Sequence, residues 1–260
     1  MLKIVFILLI PLFLFSKIQI VTYFPLETHL VKKIAQKEIF SREITGRYLT
    51  EYRKLPSSEI SRLSNSKIYF HFGLDVEKKY EEILKKENPN LIIVDLSNNI
   101  DKIEGNPYFW TDPFALRIVA KNTYEALINL DEKNKNLYKE NYENFLDEID
   151  STFLRIKEKM KNSDITVVYT FDDYWDYFAK RFRIELIKEE KKYLDITKVS
   201  SLVEYTNKKN IKKILFYRDM DYNIALSYKN NLNLQIIEQN IFEETWQTNL
   251  LEFSQNLFLN

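Results

Sequence analysis

This 260-residue sequence predicts an α/β protein of two lobes. Each lobe is a roughly four-stranded, mostly parallel sheet flanked by helices, and one long backbone helix joins the two. Three observations carry that expectation. From Lys17 onward, short apolar runs alternate with amphipathic stretches, the pattern of strands covered by helices on both faces. The alternation stops near Leu130 and resumes near Asn162. Between those points Tyr138, Tyr142, Phe145, Leu146, Ile149, Phe153, Ile156 and Met160 fall on one helical stripe. A stripe of roughly 30 residues spans about 45 Å, more than one lobe needs, and a surface helix or a coiled-coil arm is the alternative to a linking helix. The boundaries read from this are an N-terminal lobe over 17–130, a linking helix over 131–161 and a C-terminal lobe over 162–260.

Taken in order, Ile18 to Tyr23 is an apolar strand, and Leu30 to Ala35 turns Leu30, Val31 and Ile34 inward as a helix. Glu38 to Ile44 is a second, weakly patterned strand. Ser57-Ser58-Glu59 supplies helix capping ahead of Ile60 and Leu63. Lys67 to Phe70 and Leu91 to Asp95 are short strands bounded by turn formers, with a helix face of Val76, Tyr80, Ile83 and Leu84 between them. In the second lobe Ile165 to Thr170, Ile184 to Ile187, Lys213 to Tyr217 and Leu234 to Ile237 read as strands. Helices lie around Trp175 to Phe182, Lys198 to Lys208 and Asn223 to Asn231, with a last one from about Thr245.

Composition excludes several classes. Lys plus Arg and Asp plus Glu number 38 each, so no electrostatic footprint for nucleic acid exists. Only three glycines occur, with neither a GxGxxG nor a Walker pattern, which removes the nucleotide-binding readings. There is no cysteine, hence no disulfide, thiolate metal site or lipid-modified cysteine. At the N-terminus, Lys3 precedes an apolar run from Ile4 to Phe15, too short for a bilayer core of about 30 Å. Residues 1–16 are expected to be a secretory signal peptide cleaved between Ser16 and Lys17. The mature chain is then expected to be a monomer of the periplasm.

The most informative stretch is Asn106-Pro107-Tyr108-Phe109-Trp110-Thr111-Asp112-Pro113, which opens into a helical pattern of Leu116, Val119, Ala120, Thr123, Leu127 and Leu130. Asp112 stands where an N-cap belongs and Pro113 at the first helical position. An aromatic loop with Tyr108 at its apex is thereby held rigidly at a helix start. This run resembles the Asp-Pro-His-x-Trp-x-Asp-Pro signature of the zinc/manganese solute-binding proteins that serve ABC importers. Thr22-Tyr23-Phe24-Pro25-Leu26 is similar to that family's first strand end, and Leu130 through Asp150 to its linking helix. Val167 to Tyr174, with Tyr177 to Arg181, is similar to its second-lobe strand and helix.

The resemblance implies a non-enzymatic binding protein that captures a divalent or trivalent metal ion between its lobes and delivers it to an ABC permease. It places the four ligand positions on Glu51, Tyr108, Asp172 and Glu238, where the family normally carries His, His, His or a carboxylate, and Asp. At the first position Glu59 and Glu43 are rivals to Glu51. The chain's two histidines, His29 and His71, fall on none of the four. Oxygen donors suit harder cations (manganese, iron, magnesium or calcium) better than zinc, and a phenolate at Tyr108 would point to ferric iron. The rival expectation is a cleft closed by salt bridges, with Arg218 reaching Asp172 or Glu238, that binds a non-metal solute or serves as an interaction protein. Asp172, Asp173 and Glu238 could instead suggest a hydrolase, but Asp-Asp after a strand is also a common helix cap.

Overall fold

The computed structural model describes residues 17–259, so the expected signal peptide lies outside the described residues. Two four-stranded, all-parallel sheets form the frame. The first comprises β1 (Ile18–Thr22), β2 (Ile39–Glu43), β3 (Ile68–His71) and β4 (Ile92–Asp95), in the order β2-β1-β3-β4. The second comprises β5 (Val167–Thr170), β6 (Glu185–Lys188), β7 (Lys213–Tyr217) and β8 (Gln235–Gln239), in the order β6-β5-β7-β8. Each sheet therefore reverses its winding between its first and third strands, and a crevice opens there beyond the strand ends.

The helices follow from local chemistry. α1 (Pro25–Ala35) starts on a proline at a position whose N–H would be orphaned anyway. α2 (Ser57–Ser64) and α3 (Asp75–Glu87) complete the covering of the first lobe. α4 (Pro113–Leu130) has Asp112 as its N-cap, accepting from Phe114 N–H at 2.9 Å, as the sequence predicts. After a single tight turn at Glu132–Asn134 comes α5 (Lys135–Lys161), whose inward stripe buries Tyr138, Phe145, Ile149 and Ile156. The second lobe carries α6 (Asp176–Phe182), α7 (Val199–Lys208), α8 (Tyr222–Leu232) and α9 (Trp246–Phe258).

α5 is the spine. At one end Asn141 donates to Ile34 O at 2.8 Å and Glu148 pairs with Lys33 at 2.7 Å, both on α1. At the other Lys159 donates to Leu251 O at 2.7 Å and Thr152 accepts from Gln247 at 2.9 Å, both on α9. One apolar core accordingly runs from Phe24 and Phe70 through Leu116 and Phe145 to Trp175, Phe178 and Phe253. A smaller core of Tyr169, Phe216 and Tyr228 lies on the opposite face of the second sheet, because strand residues alternate sides. Lys213 is 1% exposed, and its Nζ donates to Asn256 O at 2.6 Å and Leu259 O at 2.9 Å. A strand lysine thus satisfies the free carbonyls at the end of α9. Among the described residues no helix is long and apolar enough to cross a membrane.

Candidate functional site

The strand ends of both sheets feed side chains into one place. From the first lobe, the chain leaving β1 supplies Phe24, that leaving β3 supplies Phe72, and the loop after β2 supplies Tyr48. The loop before α4 adds Tyr108 and Trp110. From the second lobe, β5 leads to Asp172 and Tyr174, β7 ends at Tyr217, and the turn after β8 carries Phe242. These rings pack on one another across the lobe boundary. Tyr48 stacks on Phe242 with centroids 4.0 Å apart and planes at 7°. Tyr108 meets Tyr174 edge-on at 4.8 Å and Trp110 edge-on at 5.5 Å. Tyr174 meets Tyr217 at 5.1 Å, and Phe72 lies against Trp110 at 5.1 Å. Each such pair contributes about 0.5–1.5 kcal/mol beyond simple burial.

The Tyr108 loop is strapped to the second lobe by polar contacts that the sequence does not advertise. Trp110 Nε1 donates to Ile241 O at 2.9 Å, and Asn106 Nδ2 donates to Asp173 O at 2.7 Å. Tyr177 OH donates to Asn106 O at 2.9 Å. The Arg181 guanidinium grips the Asp112 cap as a fork, with Nε and Nη2 each 2.8 Å from a carboxylate oxygen.

Two of the four predicted ligand positions come together. Asp172 Oδ1 accepts the Tyr174 N–H at 3.1 Å, and the Tyr174 ring is the one that abuts Tyr108. Burial pushes the Asp172 carboxyl up to about 6, with Asp173 and Asp176 adding to the rise and the Tyr174 N–H and Lys191 opposing it. Burial, with Tyr48 beside it, also pushes the Tyr108 phenol well above its ordinary range. The other two positions stand apart. Glu51 is exposed in the loop before α2. Glu238 is exposed on β8, an edge strand, between the buried Ile237 and Gln239, and its Oε1 is 3.8 Å from Arg218 Nε. Of the two partners expected for Arg218, Glu238 is therefore the one it meets. Among the described residues, no group of three or more His, Asp or Glu side chains is arranged to hold a metal ion. Tyr48 and Phe242, the stacked pair at the centre, are the site residues that sequence reasoning missed. Each is a lone aromatic in a loop, without spacing or motif to mark it.

Directly under the first-lobe wall lies a pair of fully buried carboxyls, Glu27 and Glu77. Glu27 accepts Tyr23 N–H at 2.6 Å on one oxygen and Phe72 N–H at 3.1 Å on the other. Glu77 accepts Leu74 N–H at 2.7 Å. Burial, and then the charge of Glu77 alongside, hold the Glu27 carboxyl well above the usual carboxylate range, so the pair retains a proton. His71 is buried here at the end of β3. Its Nδ1 accepts the Gly73 N–H at 2.9 Å, which leaves Nε2 as the nitrogen bearing hydrogen. His29 is held down to about 4 by burial and by Lys33 and Lys32.

Comparisons with known proteins agree with this architecture. A manganese ABC transporter substrate-binding lipoprotein, PsaA of Streptococcus anginosus, is 24% identical over 188 residues, covering 65% of this chain and 60% of that protein. The chain thus spans less than two thirds of that relative's length. The metal ABC transporter substrate-binding lipoprotein ScbA of Streptococcus cristatus is 23% identical over 246 residues, covering 85% and 78%. The crystal structure of ZnuA superposes with a TM-score of 0.80 at 18% identity, covering 93% of this chain and 98% of that one. A Cd-bound periplasmic metal binding protein from candidatus liberibacter asiaticus superposes at 0.78 with 16% identity, covering 94% and 98%. At such identities the structures speak for the fold alone. The family model described as zinc-uptake complex component A, periplasmic, matches residues 20–249, and the chain belongs to that family.

Proposed function

We propose that this protein is the substrate-binding component of an ABC importer for metal ions. It captures its cation in the cleft between the lobes and delivers it, as a periplasmic monomer, to a membrane permease. The observation that carries this reading is that Tyr108, from the first lobe's aromatic loop, packs on the ring of Tyr174, whose backbone N–H donates to Asp172 just beyond the end of β5. Family membership and the substrate-binding relatives support it. Those relatives are named lipoproteins, whereas this chain has no cysteine to carry a lipid.

Within this reading Tyr108 and Asp172 are the inner ligands of the cargo ion, and Glu51 and Glu238 would join only by folding inward from their exposed positions. An all-oxygen set favours manganese or iron over zinc. Burial disfavours the Tyr108 phenolate, so the ion itself must stabilise the anion, which demands a strong Lewis acid such as ferric iron. Calorimetric titration of metal-stripped protein with manganese, iron and zinc tests this. Absence of both heat and thermal stabilisation with all three refutes it. A second reading, a family member whose cleft holds a non-metal solute, draws support from the Arg218–Glu238 pair and from the scarcity of clustered donors among the described residues.

A further inference from the structure

Beside the ring cluster the cleft opens into a cavity of about 580 Å3, a size ordinary for small-molecule sites. Neither Tyr108 nor Asp172 lines it, but Tyr174 and Phe242, which pack on Tyr108, do, so it adjoins the position of the cargo cation. Its walls come from both lobes. Four rings face it, Tyr48, Tyr174, Tyr217 and Phe242, and all four remain partly exposed. Their neighbours Phe24, Phe72 and Trp110 are at most 2% exposed, as ordinary core residues are. The open rings are therefore concentrated where the cavity is.

The rim carries both signs of charge. Arg47 from the first lobe and Arg218 from the second are exposed guanidiniums. Asp219, Glu243 and Glu244, all on the second lobe, are exposed carboxylates. A purely cationic guest would face the two arginines, and a purely anionic one the three acids, each at a cost in like-charge repulsion. A guest with both charges meets a partner for each. Guanidinium matches carboxylate geometry as a fork, and a carboxylate rim accepts the three N–H bonds of an ammonium. Flat aromatic walls then favour a planar side chain, through offset or edge-on ring contacts.

We propose that this cavity binds a zwitterionic, amino-acid-type molecule with a planar side chain. The carboxylate lies toward Arg47 and Arg218, the ammonium toward Asp219 and the Glu243–Glu244 turn, and the ring against Tyr48, Tyr217 and Phe242. A guest held this way touches both lobes and favours their closed arrangement. The inference rests on the reading of the protein as a solute-binding one, yet it does not need a metal at Tyr108 and Asp172.

The test is calorimetric titration of the purified protein with L-phenylalanine, with phenethylamine (no carboxylate) and with 3-phenylpropionate (no ammonium), alongside manganese and iron as separate titrants. Phenylalanine is expected to bind, and each half-charged analogue to bind at least about tenfold more weakly. Arg47→Gln should weaken phenylalanine by about tenfold and leave phenethylamine unchanged. Asp219→Asn should weaken phenylalanine and leave 3-phenylpropionate unchanged. No heat with phenylalanine, or equal affinity for all three compounds, overturns the inference. Metal binding without phenylalanine binding overturns it while the cation-capture reading stands, and phenylalanine binding without metal binding does the reverse.

Discussion

Replacing Glu77 by glutamine should flatten the pH dependence of this protein's stability. Glu27 and Glu77 are both fully buried, and among the described residues the one basic side chain beside either is His71, 3.7 Å from Glu77. His71 Nδ1 accepts the Gly73 N–H at 2.9 Å, and its Nε2 is 3.7 Å from Glu81. Tyr23 and Tyr69 also face the pair, and neither is a cation. In the unfolded chain both carboxyls ionise at about 4.3. In the fold the pair keeps one proton above that point, since the Glu27 carboxyl is raised. Folding therefore binds about one proton more than the unfolded state, and stability falls as pH rises, by about 1.4 kcal/mol per unit. The contribution is fully present below about 4.3 and is lost as pH climbs toward the raised folded value. The amide in Glu77→Gln would place a permanent N–H where the shared proton sits and still accept from Leu74. Glu27→Gln would instead turn an amide N–H toward Tyr23 or Phe72 N–H and cost about 1–3 kcal/mol at every pH. The assay is urea unfolding by tryptophan fluorescence between about pH 5 and 7, wild type against Glu77→Gln, so that other ionisations cancel. Parallel profiles for the two proteins would refute the shared proton.

Asp172 gives a second pH effect, on binding. Its carboxyl stands at about 6, so metal capture should weaken steeply below that pH as the proton competes with the ion, and a manganese or iron affinity that is flat from about pH 7 to 5 would contradict this. Tyr108→Phe should weaken iron binding far more than Asp173→Asn, and equal effects would mean that the phenol is not a ligand. Lys213→Met should cost about 2 kcal/mol in thermal unfolding, with hydrogen exchange accelerated first in the last turn of α9, because two carbonyls lose a charged donor. Gly73→Ala should also destabilise, since Gly73 sits at φ +79 and an added Cβ would stand 2.9 Å from Asp95 Oδ2. A melting temperature unchanged from wild type would show that this turn relaxes freely.

Much of the fold is legible in the sequence. Asp112 and Pro113 mark the start of α4 because capping is local chemistry between neighbours in sequence. The stripe from Tyr138 to Met160 marks α5 because a helix buries every third or fourth residue. Eight short apolar runs mark the eight strands to within a few residues at each end, the error coming where loop residues extend an apolar run. The ligand positions are less legible than the fold. Tyr108 and Asp172 sit in motifs anchored by their flanks, and the fold brings them to one ring cluster. Glu51 and Glu238 were placed by position along strands and loops, and that reasoning says nothing about the side a residue faces. Glu238 faces out because Ile237 and Gln239 take the buried positions on β8.

The sequence by itself determined the elements, their order and the repeated parallel architecture of two lobes about a helical spine, since all of these follow from periodicity and capping within short windows. Only the tertiary structure decided what fills the cleft. Tyr48 and Phe242 lie far apart along the chain, and no local rule couples them. Their stacking at 4.0 Å, like the burial of Glu27 beside Glu77, arises when distant segments exclude water from the same space.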